Sequence, residues 1–202
     1  NENIKELYRV KFHDERSGVL RLDMNENPEG LPKEVFDAVM SKITPEYIAT
    51  YPEKDRLMML LAEHDRIAYE NISVTAGSDE AMRLIFHCFG QLGKKLLTVT
   101  PTFEMYGVYA EMFGMKHEMV GYKEDFSIDP GEILQAIDAD TGIVILLNPN
   151  SPIGYTFHEN HVREIIERAQ KAGAIVVIDE AYHYFYTPTF MPLIKEYDNL
   201  FV

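Results

Sequence analysis

Apolar positions along this chain follow two different periods from about residue 70 onward. Compact segments rich in apolar residues at 95–100, 143–147 and 174–178 alternate with segments in which apolar residues recur every three or four positions, such as 78–91 and 156–172. The compact runs predict strands buried on both faces, and the longer period predicts amphipathic helices. Strands and helices that alternate in this way form right-handed βαβ units. We therefore expect an α/β fold with a doubly wound, mostly parallel sheet and helices on both faces.

Local signals predict the boundaries of several elements. Residues 72–75 are expected to form a short strand. Thr156 and Glu159 have the Thr-x-x-Glu spacing of a capping box, which predicts the start of a helix that Gly173 ends. The apolar run 199–202 predicts the beginning of a further strand.

The chain divides into two regions by pattern. Residues 1–30 are polar and irregular, which predicts an N-terminal arm that forms part of a small domain. Residues 31–202 contain the alternating pattern and predict a large domain. Because a strand begins at 199, we expect this large domain to be incomplete and a C-terminal small domain to be absent. The chain is therefore expected to be the front part of a longer protein.

Composition and charge narrow the classes of partner. The formal net charge of −14 opposes contact with a phosphate backbone or an anionic membrane surface, so neither nucleic acid nor membrane is an expected partner. No apolar stretch is long enough to cross a bilayer. The single cysteine, Cys88, excludes an internal disulfide and favours a cytoplasmic setting.

Several common functional motifs are missing. The sequence has no Gly-x-Gly-x-x-Gly after its first strand, no P-loop and no Gly-x-Ser-x-Gly turn, which weakens dinucleotide, NTPase and hydrolase hypotheses. His158 and His161 have a spacing that suits a metal ion, but no further ligands are evident near them, so no metal site is predicted.

Candidate site residues follow the predicted strands, at one edge of the sheet. Gly77, Ser78 and Asp79 begin a helix whose free N–H groups, with the Ser78 hydroxyl, can hold a phosphate. The alternative is a helix that Ser78 merely caps. Asp179 ends the run at 174–178, at the edge where ligands of open α/β sheets bind. Its alternative is a carboxylate that only caps the next turn.

Two further loops add polar and aromatic groups to this edge. The loop 148–154 displays short hydrogen-bonding side chains, and Phe103 follows another strand, either to stack on a flat ring or to join the helix core. A phosphate site, an aromatic face, polar turn atoms and a buried carboxylate together suit a planar, phosphorylated heteroaromatic ring with a basic nitrogen. Pyridoxal 5'-phosphate is such a cofactor.

The same segments, taken in order, resemble a known family. Matching motifs lie at 25–28, 51–52, 77–80, 101–106, 148–154 and 179–182. In order and spacing the sequence is similar to the class I/II pyridoxal-phosphate aminotransferases of fold type I, and in particular to their histidinol-phosphate aminotransferase branch.

The resemblance implies roles for individual residues around the cofactor ring. Asp179 would pair with the pyridine nitrogen and keep it protonated, because a carboxylate beside a pyridinium favours the charged form. Tyr182 would bond to the phenolic oxygen, and Phe103 would stack on the ring at a position where relatives often carry Tyr. The backbone N–H groups of Ser78 and Asp79 would bind the phosphate.

The resemblance also implies a homodimer. Tyr51 matches a tyrosine that in relatives reaches the phosphate of the neighbouring subunit, and Asn25 lies in a segment that lines the substrate pocket. The family's Asn-Pro-Thr-Gly is Ser151-Pro152-Ile153-Gly154 here, so that a serine stands where an asparagine usually contacts the phenolic oxygen. Asn150 is a candidate to compensate.

No catalytic residue is assigned within this chain. The resemblance places the lysine that binds the cofactor covalently in a Ser/Thr-x-Ser-Lys segment just after the strand that begins at 199, and that segment is missing here. The lysines that are present, including Lys94, Lys95, Lys171 and Lys195, are expected at exposed ends of helices or strands.

The sequence therefore favours an aminotransferase that moves an amino group between an amino acid, or an amino-acid-like phosphate ester, and a 2-oxo acid. The fragment itself is expected to be inactive. A pyridoxal-phosphate decarboxylase of the threonine-phosphate type is an alternative, because the same edge residues serve both reactions. A non-catalytic ligand-binding fragment and a domain for another nucleotide are further alternatives.

Overall fold

Five parallel strands form one sheet in the computed structural model, which describes residues 18–21 and 24–202. The predicted arm at 1–30 therefore lies mostly outside the described residues. The sheet has the spatial order β2-β1-β3-β4-β5. The strands are β1 (Lys95–Thr100), β2 (Lys116–Gly121), β3 (Thr141–Leu147), β4 (Ile175–Asp179) and β5 (Leu200–Phe201).

Seven α-helices accompany the sheet in the described residues. They are α1 (Lys33–Met40), α2 (Pro45–Ala49), α3 (Asp55–Asp65), α4 (Gly77–Phe89), α5 (Met105–Phe113), α6 (Pro130–Ala136) and α7 (Glu159–Ala172). Short 3-10 helices lie at Tyr69–Asn71, His183–Phe185 and Met191–Lys195. None of the helices in this part of the chain is long and apolar enough to cross a membrane.

The central strands of the sheet are covered on both faces, as expected for strands rich in apolar residues, whereas β2 at the edge is largely exposed. Residues of α6 and α7 pack in one core cluster with Val176 and Ile178 of β4, while α4 and α5 pack in a second cluster with Val177. Since alternate residues of a strand point to opposite faces, Asp179 belongs to the face of Val177, on the side of α4 and α5. The α/β, doubly wound architecture predicted from the sequence is confirmed.

The order of the strands reverses between β1 and β3. The chain moves from β1 outward to β2 and then returns to β3 on the other side of β1. Ligands of open α/β sheets bind outside the carboxyl ends of the strands at such a switch point. In the register of β3 and β4, Leu147 lies opposite Asp179, and Asn148 N–H donates to the Asp179 carbonyl over 2.8 Å. The loop after β3 therefore begins beside Asp179.

Two predicted boundaries are wrong. Residues 72–75 are not a strand, because no neighbouring strand in the described residues supplies the ladder hydrogen bonds that one needs. The helix predicted from Thr156 begins only at Glu159, with His158 at the N-cap and no side-chain cap. The capping-box spacing is thus present in the sequence without the hydrogen bonds that define the motif. The predicted end at Gly173 and the strand start near 199 are both confirmed.

The N-terminal helices differ from the others in burial. No residue of α1, α2 or α3 is buried against the described part of the chain, and α1 exposes Val35, Phe36 and Val39. The packed core therefore begins at α4. The domain boundary predicted at residue 31 stays a prediction.

Candidate active site

Asp179 ends β4 as a buried carboxylate with two well-defined partners. Only 6% of the residue is exposed. Its Oδ2 accepts a hydrogen bond from the Tyr106 hydroxyl at 2.7 Å, and its Oδ1 accepts one from the Ala181 N–H at 3.0 Å. An ionised carboxylate has about four lone-pair sites, so each oxygen keeps one for a further donor. A buried carboxylate in this state can hold a protonated nitrogen.

Tyr106 is a site residue that the sequence analysis missed. It is fully buried in the first turn of α5, and its ring contacts the ring of Phe103 at a centroid distance of 5.5 Å. Burial, and then the neighbouring Asp179 charge, raise the pKa of the Tyr106 hydroxyl far above its usual value, so this group remains a donor. The available signal was its position in the first turn of the helix that follows β1, three residues after Phe103.

The amino end of α4 has the geometry of an anion site. Gly77 has φ +81°, a conformation that favours glycine, and α4 has no side-chain cap. Glu80 accepts a hydrogen bond from Ala76 N–H at 2.7 Å, and this bond, with one from Arg83, lowers the pKa of Glu80. No side-chain acceptor among the described residues bonds to the N–H groups of Gly77, Ser78 or Asp79, so these remain available for an anion. The alternative in which Ser78 caps the helix is wrong.

Ser78 and Asp179 lie in the walls of the same open cavity, which has a volume of about 1120 Å³. Thr75 and Ala181 also line it. The structure therefore brings together the helix end and the carboxylate that were predicted to bind opposite ends of one ligand.

Hydrogen bonds of Asn150 link the loop after β3 to the loop after β1. This buried side chain donates from Nδ2 to the Pro101 carbonyl at 2.9 Å and accepts at Oδ1 from the Thr102 hydroxyl at 2.6 Å. Both ends of the Asn150 amide are therefore engaged by the loop after β1, and a role for Asn150 in place of the asparagine replaced at Ser151 stays a prediction. Ser151 itself is half-buried, and its hydroxyl has no partner among the described residues.

Phe103 and Tyr182 both pack, half-buried, against the core cluster that contains Tyr106. Phe103 is therefore part of the core edge and still presents a partly open ring. The Tyr182 hydroxyl accepts a hydrogen bond from Asn25 Nδ2 at 2.8 Å. Its own proton is thus free to be donated, and this bond brings Asn25 beside Tyr182.

Two of the residues singled out in the sequence lie away from this group. Tyr51 is 92% exposed and contacts none of the other site residues, which is compatible with a role outside its own subunit. Lys95 was expected at an exposed strand end but is buried, because its ammonium group bonds to Glu118 and Asp138 at 3.0 Å each. It begins β1, at the edge of the sheet opposite Asp179, so it is a structural residue.

These features define an α/β domain with a candidate ligand site at the carboxyl end of β4. The amino end of α4 and the buried carboxylate line one cavity, whereas Phe103 and Tyr182 are not among its lining residues and pack beside Tyr106.

Comparison with known proteins gives the family. A family model described as aminotransferase class I and II matches residues 17–202. The chain belongs to this family.

Individual relatives carry the name histidinol-phosphate aminotransferase. The chain is 32% identical to one from Clostridium novyi, over 98% of this chain and 58% of that protein. It is 34% identical to one from Pyrococcus furiosus, over 90% of this chain and 52% of that protein. The chain thus spans little more than half the length of these relatives.

A solved structure supports the same fold. The histidinol-phosphate aminotransferase from Clostridium acetobutylicum superposes with a TM-score of 0.72 at 24% identity, over 87% of this chain and 52% of that one. At this identity the match bears on the fold alone.

Proposed function

We propose that the full-length protein is a pyridoxal-phosphate-dependent aminotransferase, which exchanges an amino group between an amino donor and a 2-oxo acid. The observation that carries this proposal is the Asp179 carboxylate, buried at the end of β4 and held by Tyr106 and Ala181. Membership of the aminotransferase class I and II family supports it.

The residues present fit the cofactor at each of its polar ends. Asp179 has a free lone pair on each oxygen for the protonated pyridine nitrogen. The N–H groups of Gly77, Ser78 and Asp79 would bind the phosphate, assisted by the positive end of the α4 dipole. Ser78 and Asp179 line one cavity, as two ends of one bound molecule require.

Three side chains would hold the ring between these ends. Phe103 presents a partly open aromatic face for stacking. Tyr182 has a hydroxyl proton free to donate to the phenolic oxygen, because its oxygen already accepts from Asn25. Ser151 offers a second hydroxyl in place of the family's asparagine.

Catalysis by this site would depend on charge held in place by the chain. The cofactor, when bound, supplies an electron sink that stabilises negative charge at the carbon next to the substrate nitrogen. Asp179 keeps the proton on the ring nitrogen, since a nearby opposite charge stabilises the charged form. Tyr182 stabilises negative charge on the phenolic oxygen by hydrogen bonding.

The amino donor is proposed to be a phosphate ester related to histidinol phosphate. The names of the relatives support this choice, and they favour transamination over decarboxylation of a threonine-phosphate type of substrate. We further propose a cytoplasmic homodimer in which the exposed Tyr51 reaches the phosphate of the partner subunit. The exposed apolar residues of α1 are compatible with such an interface.

Absorption titration of the full-length protein tests this function. Pyridoxal phosphate should bind and give a new visible band, and histidinol phosphate should change that band as its amino group is transferred. Asp179→Ala should lower turnover by about 10²-fold or more, because an electrostatic partner of the reacting ring is removed. Asp140→Ala, which removes an exposed carboxylate at the opposite edge, is the matched control and should have no effect.

The absence of any cofactor band would refute the proposal and favour a domain for another ligand. A cofactor band that no amino donor changes would instead favour a binding protein without catalysis.

A further inference from the structure

Tyr106 and Asp179 form a buried hydrogen bond between two elements that are distant in the sequence. The donor lies in the first turn of α5 and the acceptor at the end of β4. The Tyr106 residue is fully buried, and the distance from its hydroxyl oxygen to Asp179 Oδ2 is 2.7 Å. The bond therefore lies inside the fold, directly behind the carboxylate that faces the cavity.

This hydrogen bond has a chemical direction. A tyrosine hydroxyl has one proton to donate, and an ionised carboxylate can only accept. An O–H···O⁻ bond of this length is charge-assisted and stronger than a neutral one. It stabilises the ionised form of Asp179 and, together with the Ala181 N–H on the other oxygen, fixes the plane of the carboxylate.

The ring of Tyr106 has little freedom to move. It lies in the core cluster formed with α4 and α5, and Phe103 contacts it edge-on at 5.5 Å. Phe103 is also the residue proposed to stack on the cofactor ring. The same tyrosine therefore touches both the stacking residue and the residue proposed to bind the ring nitrogen.

We propose that Tyr106 is a positioning residue that orients the Asp179 carboxylate and keeps it ionised toward the ring nitrogen of the bound cofactor. This inference rests on the proposed function. Without the Tyr106 hydroxyl, Asp179 becomes a stronger base and the shared proton moves from the ring nitrogen toward the carboxylate. Tyr106 itself makes no contact with the cofactor in this proposal.

The test uses the full-length protein with Tyr106→Phe, which keeps the ring and removes the donor. The affinity for pyridoxal phosphate should fall by about tenfold, in line with the loss of one hydrogen bond to a charged group. The decisive measurement is the ¹⁵N NMR signal of ring-labelled pyridoxal phosphate bound to the protein. It should move from the position of a protonated pyridine toward that of a neutral one.

Tyr109→Phe is the matched control for a purely structural effect. Tyr109 is buried one turn further along α5, and its hydroxyl donates to the Asp79 carbonyl at 3.0 Å instead of to Asp179. This variant loses a similar hydrogen bond but should leave the ¹⁵N signal unchanged. The same shift in both variants, or no shift in Tyr106→Phe, would overturn the inference.

A second variant tests the role of Tyr106 even if Tyr106→Phe does not fold. In Tyr106→3-fluorotyrosine the hydroxyl is retained, and the ¹⁹F signal reports on the hydrogen bond that it makes. This signal should shift on titration with pyridoxal phosphate and saturate together with the cofactor absorption band. Combining this substitution with Asp179→Asn should abolish the shift of the ¹⁹F signal. A ¹⁹F signal that does not shift when the cofactor binds would refute the inference.

Failure of this inference is distinguishable from failure of the proposed function. A wild-type protein that binds pyridoxal phosphate, with ¹⁵N and ¹⁹F signals insensitive to Tyr106, refutes only the role of Tyr106. A wild-type protein with no cofactor band refutes both.

Discussion

The Thr102 hydroxyl donates to Asn150 Oδ1 over 2.6 Å, and this bond joins the loops that follow β1 and β3. The two strands are neighbours at the point where the strand order reverses. Asn150 Nδ2 adds a second link to the same loop through the Pro101 carbonyl. One buried amide thus holds together the two loops on either side of the point where the strand order reverses.

Asn150→Ala should destabilise the full-length protein by about 2–4 kcal/mol. Two hydrogen bonds are lost, and the Pro101 carbonyl and the Thr102 hydroxyl are left without this partner. Urea unfolding measures this loss as a lower midpoint at constant slope. Asn160→Ala, at an exposed position of α7, makes the same chemical change without these bonds and should shift the midpoint little. Equal effects of both variants would contradict the assigned link.

Ser151→Asn should not weaken binding of pyridoxal phosphate. The Ser151 hydroxyl has no partner among the described residues, so no hydrogen bond within them is lost. Restoring the family's asparagine should leave the dissociation constant unchanged or improve it by up to about tenfold. Ser151→Ala, which removes the donor, should weaken binding by about twofold to tenfold. A large loss of affinity in Ser151→Asn would show that this loop has a different function.

Gly77→Ala should destabilise the protein by about 1–2 kcal/mol, because an alanine is strained at φ +81°. It should also weaken cofactor binding, since the N–H groups of the first turn of α4 shift. Thermal unfolding and the absorption titration measure the two effects.

Gly121→Ala is the control for the glycine substitution. An added Cβ at Gly121 meets nothing within 4 Å, and this residue has no positive φ. Replacement there should be neutral or slightly stabilising, by up to about 1 kcal/mol. If both variants lost the same stability, strain at Gly77 would not be the cause.

Lys95→Met should lower the free energy of unfolding by about 1–3 kcal/mol at neutral pH. The variant loses the hydrogen bonds from Lys95 to Glu118, to Asp138 and to the Ala136 carbonyl. Lys94→Met is the control, because the Lys94 ammonium is only half-buried and has a single bond, to the Ala139 carbonyl. Its cost should be well below that of Lys95→Met.

The cost of Lys95→Met should also depend on pH. The hydrogen bond from Lys95 holds the pKa of Asp138 below its ordinary value of 3.8. A lowered carboxyl pKa contributes stability that is present above the ordinary value and is lost as the pH falls through the lowered one. The difference between wild type and Lys95→Met should therefore narrow below about pH 4. A difference that stays constant from pH 7 to pH 2 would rule out this ion pair as the cause.

The pH dependence of this stabilisation under alkaline conditions follows from the pKa of Lys95. Burial lowers the pKa of Lys95, but its bonds to Asp138 and Glu118 outweigh burial, and the pKa lies above its ordinary value of 10.5. The stabilisation should therefore persist at moderately alkaline pH and decline only as the pH rises through this raised value.

The sequence predicted β1, β3 and β4 well because each of these strands is rich in apolar residues. The bounds of β1 were predicted correctly from Lys95 to Thr100. The error at 72–75 arose because an extended, half-apolar segment becomes a strand only when another strand lies beside it. A local pattern does not contain that information.

The candidate site was predicted in part. Asp179 was singled out because it ends a buried strand and Ser78 because it follows a glycine at the start of a helix, and the structure brings both to one cavity. Tyr106 was missed because its partner lies 73 positions away, so only the fold reveals the bond. The burial of Lys95 was missed for the same reason, since Glu118 and Asp138 come from other elements.

The two core clusters have different chemical content. The buried residues of the cluster under α6 and α7 have no polar side-chain atoms, whereas the cluster under α4 and α5 also contains Tyr106 and packs against Phe103 and Tyr182. An aliphatic residue under α7 is therefore free to be exchanged for another of similar volume. Under α5, a replacement must also preserve hydroxyl groups and ring positions. The same volume-conserving exchange thus changes packing alone under α7 and the support of the site under α5.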